Sequence, residues 1–138
     1  MSPALRCSAR AKPDAVGMFR RVLTEHVVRL GGDADVRDRV RLAVTEAVTN
    51  AVMHAYRHAP EPGDVVVVAE QEEDRLIVQV CDEGLGMVPR IDSPGLGLGL
   101  GLMAQMTDAF DILTRPEGGV EVRLEFALRN APAVATAA

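Results

Sequence analysis

Between Asp82 and Met103 the chain reads DEGLGMVPRIDSPGLGLGLGLM, and six of its twelve glycines fall inside this stretch. Glycine gives up the most backbone entropy on ordering and packs nothing, so such a cluster needs a reason: turns with φ > 0, or N–H groups that must come very close to a ligand. The stretch opens on a carboxylate, Asp82, followed by Gly84 and Gly86, and closes on Gly95, Gly97, Gly99 and Gly101. A plain surface loop accounts for one glycine pair. Two clusters flanking a short connector instead predict a phosphate-handling loop running into a helix, whose free N–H groups attract anions. The pocket so formed has a hydrogen-bond acceptor on one side and phosphate donors on the other.

Neither common nucleotide fingerprint is present. A P-loop requires Gly-Lys-Ser/Thr, and the one lysine is Lys12. A dinucleotide-binding loop follows an early strand of a βαβ unit, whereas Asp82 ends a run that reads as the second strand of a hairpin.

Around this stretch the chain is organised as follows. A short strand is expected at Leu5 to Ala9. Pro13 suits the first turn of a helix, in which Val16, Phe19, Leu23, Val27 and Leu30 recur at helical spacing before Gly31-Gly32 ends it. Asp33 or Asp35 caps a second helix of roughly 20 residues, with an apolar face of Val36, Val40, Ala43, Val44, Ala47 and Ala51. Val65 to Glu70 and Leu76 to Cys81 form a hairpin across the acidic turn Gln71 to Arg75. Leu100 to Phe110 is compatible with a helix, Asp111 to Arg115 with a strand, and Val120, Val122, Leu124, Phe126 and Leu128 alternate in a last strand beyond the turn Pro116 to Gly119. The expected architecture is α+β, a two-layer sandwich with helices on one face of a mixed, largely antiparallel sheet. One domain spans residues 1–128, and residues 129–138 read as a flexible tail.

Composition narrows the function classes. Residues 1–60 carry ten Lys/Arg against six Asp/Glu, and residues 61–138 carry five against fourteen. An acidic total with three Phe, one Tyr and no Trp argues against a nucleic-acid interface. The longest apolar runs fall far short of a membrane span, and the first residues lack a signal-type apolar core, so the expected location is cytoplasmic. Cys7 and Cys81 lack metal-ligand spacing and read as buried apolar side chains.

On the second helix Glu46, Asn50 and His54 stand at i, i+4 and i+8, so each is turned only about 40° from the last and lies about 6 Å further along the axis. A carboxylate and a neutral amide on one stripe can serve a magnesium nucleotide: the amide oxygen coordinates a hard cation and the carboxylate takes a proton from an attacking hydroxyl. A helix-flank Glu and an Asn near a helix end are the ordinary alternative. His54 reads as a packed or surface imidazole.

Glu46-Ala47-Val48-Thr49-Asn50-Ala51-Val52-Met53-His54-Ala55-Tyr56, then Asp82-x-Gly84-x-Gly86, then Gly97-x-Gly99-Leu100-Gly101-Leu102 resemble the asparagine box and two glycine boxes of the GHKL (Bergerat-fold, histidine kinase-like) ATPase/kinase superfamily. Within it the chain is most similar to the bacterial anti-sigma factor serine/threonine-protein kinases, over roughly residues 5–128. The resemblance implies that Glu46 is the general base, Asn50 the Mg²⁺ ligand and Asp82 the acceptor for the adenine amino group. Gly84 and Gly86 then shape the pocket floor, and Gly97, Gly99 and Gly101 form the phosphate lid. It also implies ATP and Mg²⁺ as cofactors, a STAS-type anti-anti-sigma protein as phosphorylation target, a sigma factor as alternative partner, and a homodimer. Many relatives have a threonine after the last glycine, where this chain has Val120. That departure keeps a second class open, a regulatory module that holds nucleotide or partner without catalysis. A free-standing ATPase domain serving a larger machine is a third reading, disfavoured by the lack of the additional domains such activities use.

Overall fold

The computed structural model describes residues 4–56, 59–84 and 94–128. The elements run β1 (Leu5–Arg10), α1 (Pro13–Arg29), α2 (Ala34–Asn50) continued by a π-helical turn (Ala51–Ala55), β2 (Asp64–Glu72), β3 (Arg75–Asp82), α3 (Pro94–Met106), β4 (Ala109–Thr114) and β5 (Val120–Ala127). The five strands form one sheet in the order β1-β2-β3-β5-β4, and each of its pairings is antiparallel.

Local chemistry sets the helices. Pro13 occupies the start of α1, where its missing N–H is no loss, and Ala15, Phe19, Leu23 and Val27 bury one stripe. The helix ends as Gly31 takes φ 85° and the N–H groups of Gly31 and Gly32 donate to the carbonyls of Val28 and Val27, satisfying two otherwise free acceptors. Asp33 caps α2, its Oδ1 accepting from the Val36 N–H at 3.0 Å. Val36, Val40, Ala43, Val44, Ala47 and Val48 then face inward.

The core lies between these helices and one face of the sheet. Val65, Val67 and Ala69 of β2, Leu76, Val78 and Val80 of β3, and Val120, Val122, Leu124 and Phe126 of β5 are all buried, the every-other-residue pattern of strands with one covered face. The two-layer α+β architecture is therefore the one expected.

Four element readings need correction. The glycine-rich run 95–101 is not a loop: it lies inside α3, which spans Pro94–Met106 instead of starting at Leu100 and reaching Phe110. Pro94 stands at the helix start, and the burial of Leu100 and Met103 holds a segment whose glycines each disfavour helix by about 1 kcal/mol relative to alanine. The following strand starts earlier, at Ala109. The hairpin β2-β3 is longer than expected, its turn reduced to Glu73-Asp74 with Glu73 at φ 56°. The second helix changes at Asn50 from α to a π-helical turn. Cys7 and Cys81 are half-buried rather than buried. Gly86 and the tail 129–138 lie outside the described residues.

Candidate functional site

The pairing of β3 with both β2 and β5 fixes Asp82 at the end of the middle strand, opposite Val65 on one side and Val120 on the other. Its side chain faces the helix layer and is only 8% exposed. A carboxylate so placed needs donors. Oδ1 accepts from the Gly84 N–H at 3.0 Å, and the Val120 N–H also bonds the carboxylate. Burial pushes the Asp82 pKa up, against the pull of these two N–H groups and of the Arg115 guanidinium. Arg115 also reaches the Asp82 carbonyl, Nη1 donating at 3.4 Å.

Two glycines are required by contact at this strand end. A Cβ on Gly84 would run into the carbonyl of Ala55, and a Cβ on Gly119 into the carbonyl of Asp82. Gly119 also has φ 100°, a conformation that side chains resist. Gly119→Ala therefore combines a steric clash with backbone strain, and it should lower unfolding stability by about 2 kcal/mol. Chemical denaturation checks this: an unchanged midpoint would mean that the turn before β5 shifts freely.

The Gly84 contact brings two sequence boxes together. Ala55 closes the π-helical turn that prolongs α2, and α2 carries Glu46 and Asn50 on one flank, both half-exposed. A π-helical turn re-aims the residues after it and recurs at functional sites. Here it brings the Ala55 carbonyl against the backbone of Gly84. The asparagine-box helix and the first glycine box thus share a seam.

Asn50 Nδ2 is buried and has no hydrogen-bond partner among the described residues. A turn of the amide plane exchanges its nitrogen and its acceptor oxygen, so this position can present an oxygen. Among the described residues no three His, Cys, Asp or Glu are grouped to hold a metal. A single neutral oxygen fits a hard cation that arrives with phosphate oxygens and keeps most of its water, so Asn50 suits Mg²⁺ carried by a nucleotide.

The remaining predicted residues are more widely distributed. Gly97, Gly99 and Gly101 lie on α3, which packs along α2, and a Cβ on Gly101 would meet nothing within 4 Å. Beyond the first turn a helix commits its N–H groups to its own carbonyls, so Gly99 and Gly101 present none to a phosphate while α3 is intact. Tyr56, Arg115 and Gly119 surround Asp82 but carried no role in the sequence reading. Tyr56 is the chain's one tyrosine, and the Gly118-Gly119 pair registered only as a turn; those were the available signals.

Among the described residues no helix is long and apolar enough to cross a membrane. The model of the histidine kinase-like ATPase domain family matches residues 9–126. The crystal structure of the RsbU and RsbW domains of Rv1364c from Mycobacterium tuberculosis is similar to this chain over 97% of its length, with a TM-score of 0.74 and 26% identity. This chain spans about a third, 35%, of the length of that one. The histidine kinase domain of the blue-light activated histidine kinase EL346 from Erythrobacter litoralis shares the fold, with a TM-score of 0.58 and 22% identity over 82% of this chain and 61% of its own. No curated protein matches the chain significantly.

Proposed function

The chain belongs to the histidine kinase-like ATPase domain family, and from that premise we propose that it is an anti-sigma factor with ATP-dependent serine kinase activity. It phosphorylates a STAS-type anti-anti-sigma protein, and in its alternative partner state it sequesters a sigma factor in the cytoplasm, as a homodimer. The observation that carries the reading is the seam at Gly84 and Ala55, which joins the asparagine box to the buried acid of the first glycine box. Support for the serine kinase branch comes from the order of the three boxes and from the likeness to the structure containing an RsbW domain.

Each residue has a distinct task. Asp82, oriented by two backbone N–H groups, accepts a hydrogen bond from the adenine amino group, and Gly84 lets the strand end close on Ala55 so that the carboxylate keeps this orientation. Asn50 lends its amide oxygen to Mg²⁺, which when bound neutralises charge on the transferring phosphoryl group. Glu46, about one helical turn before Asn50, takes the proton of the target serine hydroxyl. The first half of α3, rich in helix-disfavouring glycine, unwinds at low cost and turns its N–H groups toward the triphosphate.

Incubating the protein with γ-labelled ATP, Mg²⁺ and STAS proteins from the same genome tests this. The expected result is label on a serine of one STAS protein, lost when Mg²⁺ is chelated. Failure to bind ATP would remove the proposal.

A second reading is favoured by one observation. Val120 is buried at the position where many relatives place a threonine hydroxyl, and it offers Asp82 a backbone N–H but no side-chain hydroxyl. In that reading the chain holds nucleotide and partner without transfer, and the same incubation gives ATP binding but no labelled serine.

A further inference from the structure

Tyr56 stands where the π-helical turn after α2 ends, and its ring packs close to Gly63, where a Cβ would come within 2.6 Å of Cε1. Its hydroxyl is used twice. It donates to the carbonyl of Asp64, the first residue of β2, at 2.8 Å, and it accepts from the N–H of Glu83, directly after β3, at 2.9 Å. A phenol has one proton to give and lone pairs to receive, so this one group ties the helix end to both strands that flank the buried acid. Burial pushes the Tyr56 pKa up, which keeps the donating proton in place.

The bond to Glu83 sits between the two residues that define the acid's orientation. Asp82 precedes Glu83, and Gly84, whose N–H holds the Asp82 carboxylate, follows it. Gly84 is in turn pressed on the carbonyl of Ala55, the residue before Tyr56. The segment Asp82-Glu83-Gly84 is therefore held against Ala55-Tyr56 by one backbone contact and one side-chain hydrogen bond. Of the two, only the hydrogen bond can be removed without changing the backbone.

We infer that Tyr56 is a positioning residue for base recognition: its hydroxyl sets the register between the helix bearing Glu46 and Asn50 and the strand end bearing Asp82, and so decides how well the site selects a purine with an exocyclic amino group. The inference rests on the proposed nucleotide site and adds to it the residue that tunes its selectivity. Tyr56 touches no nucleotide atom in this scheme; it acts through Glu83 and Gly84 on Asp82.

The test is calorimetric titration of Mg-ATP and Mg-ITP into the wild-type chain, Tyr56→Phe and Tyr56→Leu. ITP carries a carbonyl where ATP carries the amino group, so the ratio of the two affinities reads the geometry of Asp82 and not the general health of the pocket. Phe keeps the ring on Gly63 and removes both hydrogen bonds. Wild type should prefer ATP, and Tyr56→Phe should lose about tenfold in ATP affinity, with ITP affinity nearly unchanged, so that the preference shrinks toward parity; Tyr56→Leu should follow it. Equal losses for ATP and ITP in Tyr56→Phe would overturn the inference, since a merely structural role predicts that. So would a Tyr56→Phe variant that keeps the preference while Tyr56→Leu loses it, because packing of the ring would then suffice. A wild-type chain that binds both nucleotides equally overturns the base-recognition reading itself, whereas wild-type preference retained in Tyr56→Phe overturns the Tyr56 assignment alone.

Discussion

Replacing Glu46 with Gln is expected to slow phosphoryl transfer to the partner serine by a factor of about 10²–10³, while Mg-ATP binds within about threefold of the wild type. Glu46 is half-exposed on the flank of α2 and forms no ion pair among the described residues, so the fold does not depend on its charge. Gln preserves its size and helix propensity and removes only the ability to take up a proton, leaving stability within about 0.5 kcal/mol. In phosphoryl transfer most of the catalysis is positioning and electrostatics, which Asn50, Asp82 and the glycine segment continue to supply. A general base contributes a further 10² to 10⁴ in typical enzymes; the lower part of that range applies here because the loose transition state of phosphoryl transfer forms little bond to the attacking hydroxyl, which therefore acquires little positive charge and little acidity. Single-turnover assays with saturating nucleotide separate the steps. Parallel loss of ATP affinity and of transfer would assign Glu46 to the nucleotide, not to the hydroxyl.

How far the sequence exposes this site depends on which forces set each part. The helices α1 and α2 were legible because their stops and starts are chemical: Pro13, Gly31 and Asp33 act locally, and the buried stripes have one period. The strands β2, β3 and β5 were legible for the same reason, alternation with a covered face. The order β1-β2-β3-β5-β4 was not, because the pairing of β3 with β5 is a choice between distant segments that no local pattern specifies. The seam at Gly84 and Ala55 has the same origin: each glycine announces permissiveness, but its contact belongs to another element. Tyr56 shows the limit most directly. Its phenol would suit a core position or a surface one, and only the folded chain brings Asp64 and Glu83 within reach of one oxygen. The run 95–101 misled in the opposite direction, since glycine's dislike of helix is a per-residue tendency that packing at Leu100 and Met103 overrides.

Asp82→Asn should move stability and affinity in opposite directions, which makes it the sharper probe of the proposed nucleotide site. Burial raises the Asp82 pKa above its ordinary value of 3.8, so the native state holds this proton to higher pH than the unfolded chain does. Between the two values the native state binds more protons, and stability increases as pH falls through the folded pKa toward 3.8. At neutral pH the charged form is the costly one, and relief of that cost outweighs the one N–H bond, from Val120, that the amide cannot accept, so the nucleotide-free Asn variant should melt at the same temperature as the wild type or higher. Its pH dependence of stability between 3.8 and neutrality should flatten, because the group that titrated there is gone. Nucleotide binding should suffer. An amide has a single acceptor oxygen, and the Gly84 N–H, now bonded to Oδ1, claims it. The amide NH₂ then faces the adenine amino group, donor against donor, in place of a charge-assisted bond, and ATP affinity should fall by about 10²-fold. Ligand that binds only the native state raises its melting temperature by mass action. Saturating Mg-ATP should therefore lift the wild type well above its nucleotide-free value and shift the Asn variant little, reversing the order of the two proteins. If nucleotide stabilised both equally, Asp82 would be a structural acid at the end of β3 and the purine would be held elsewhere.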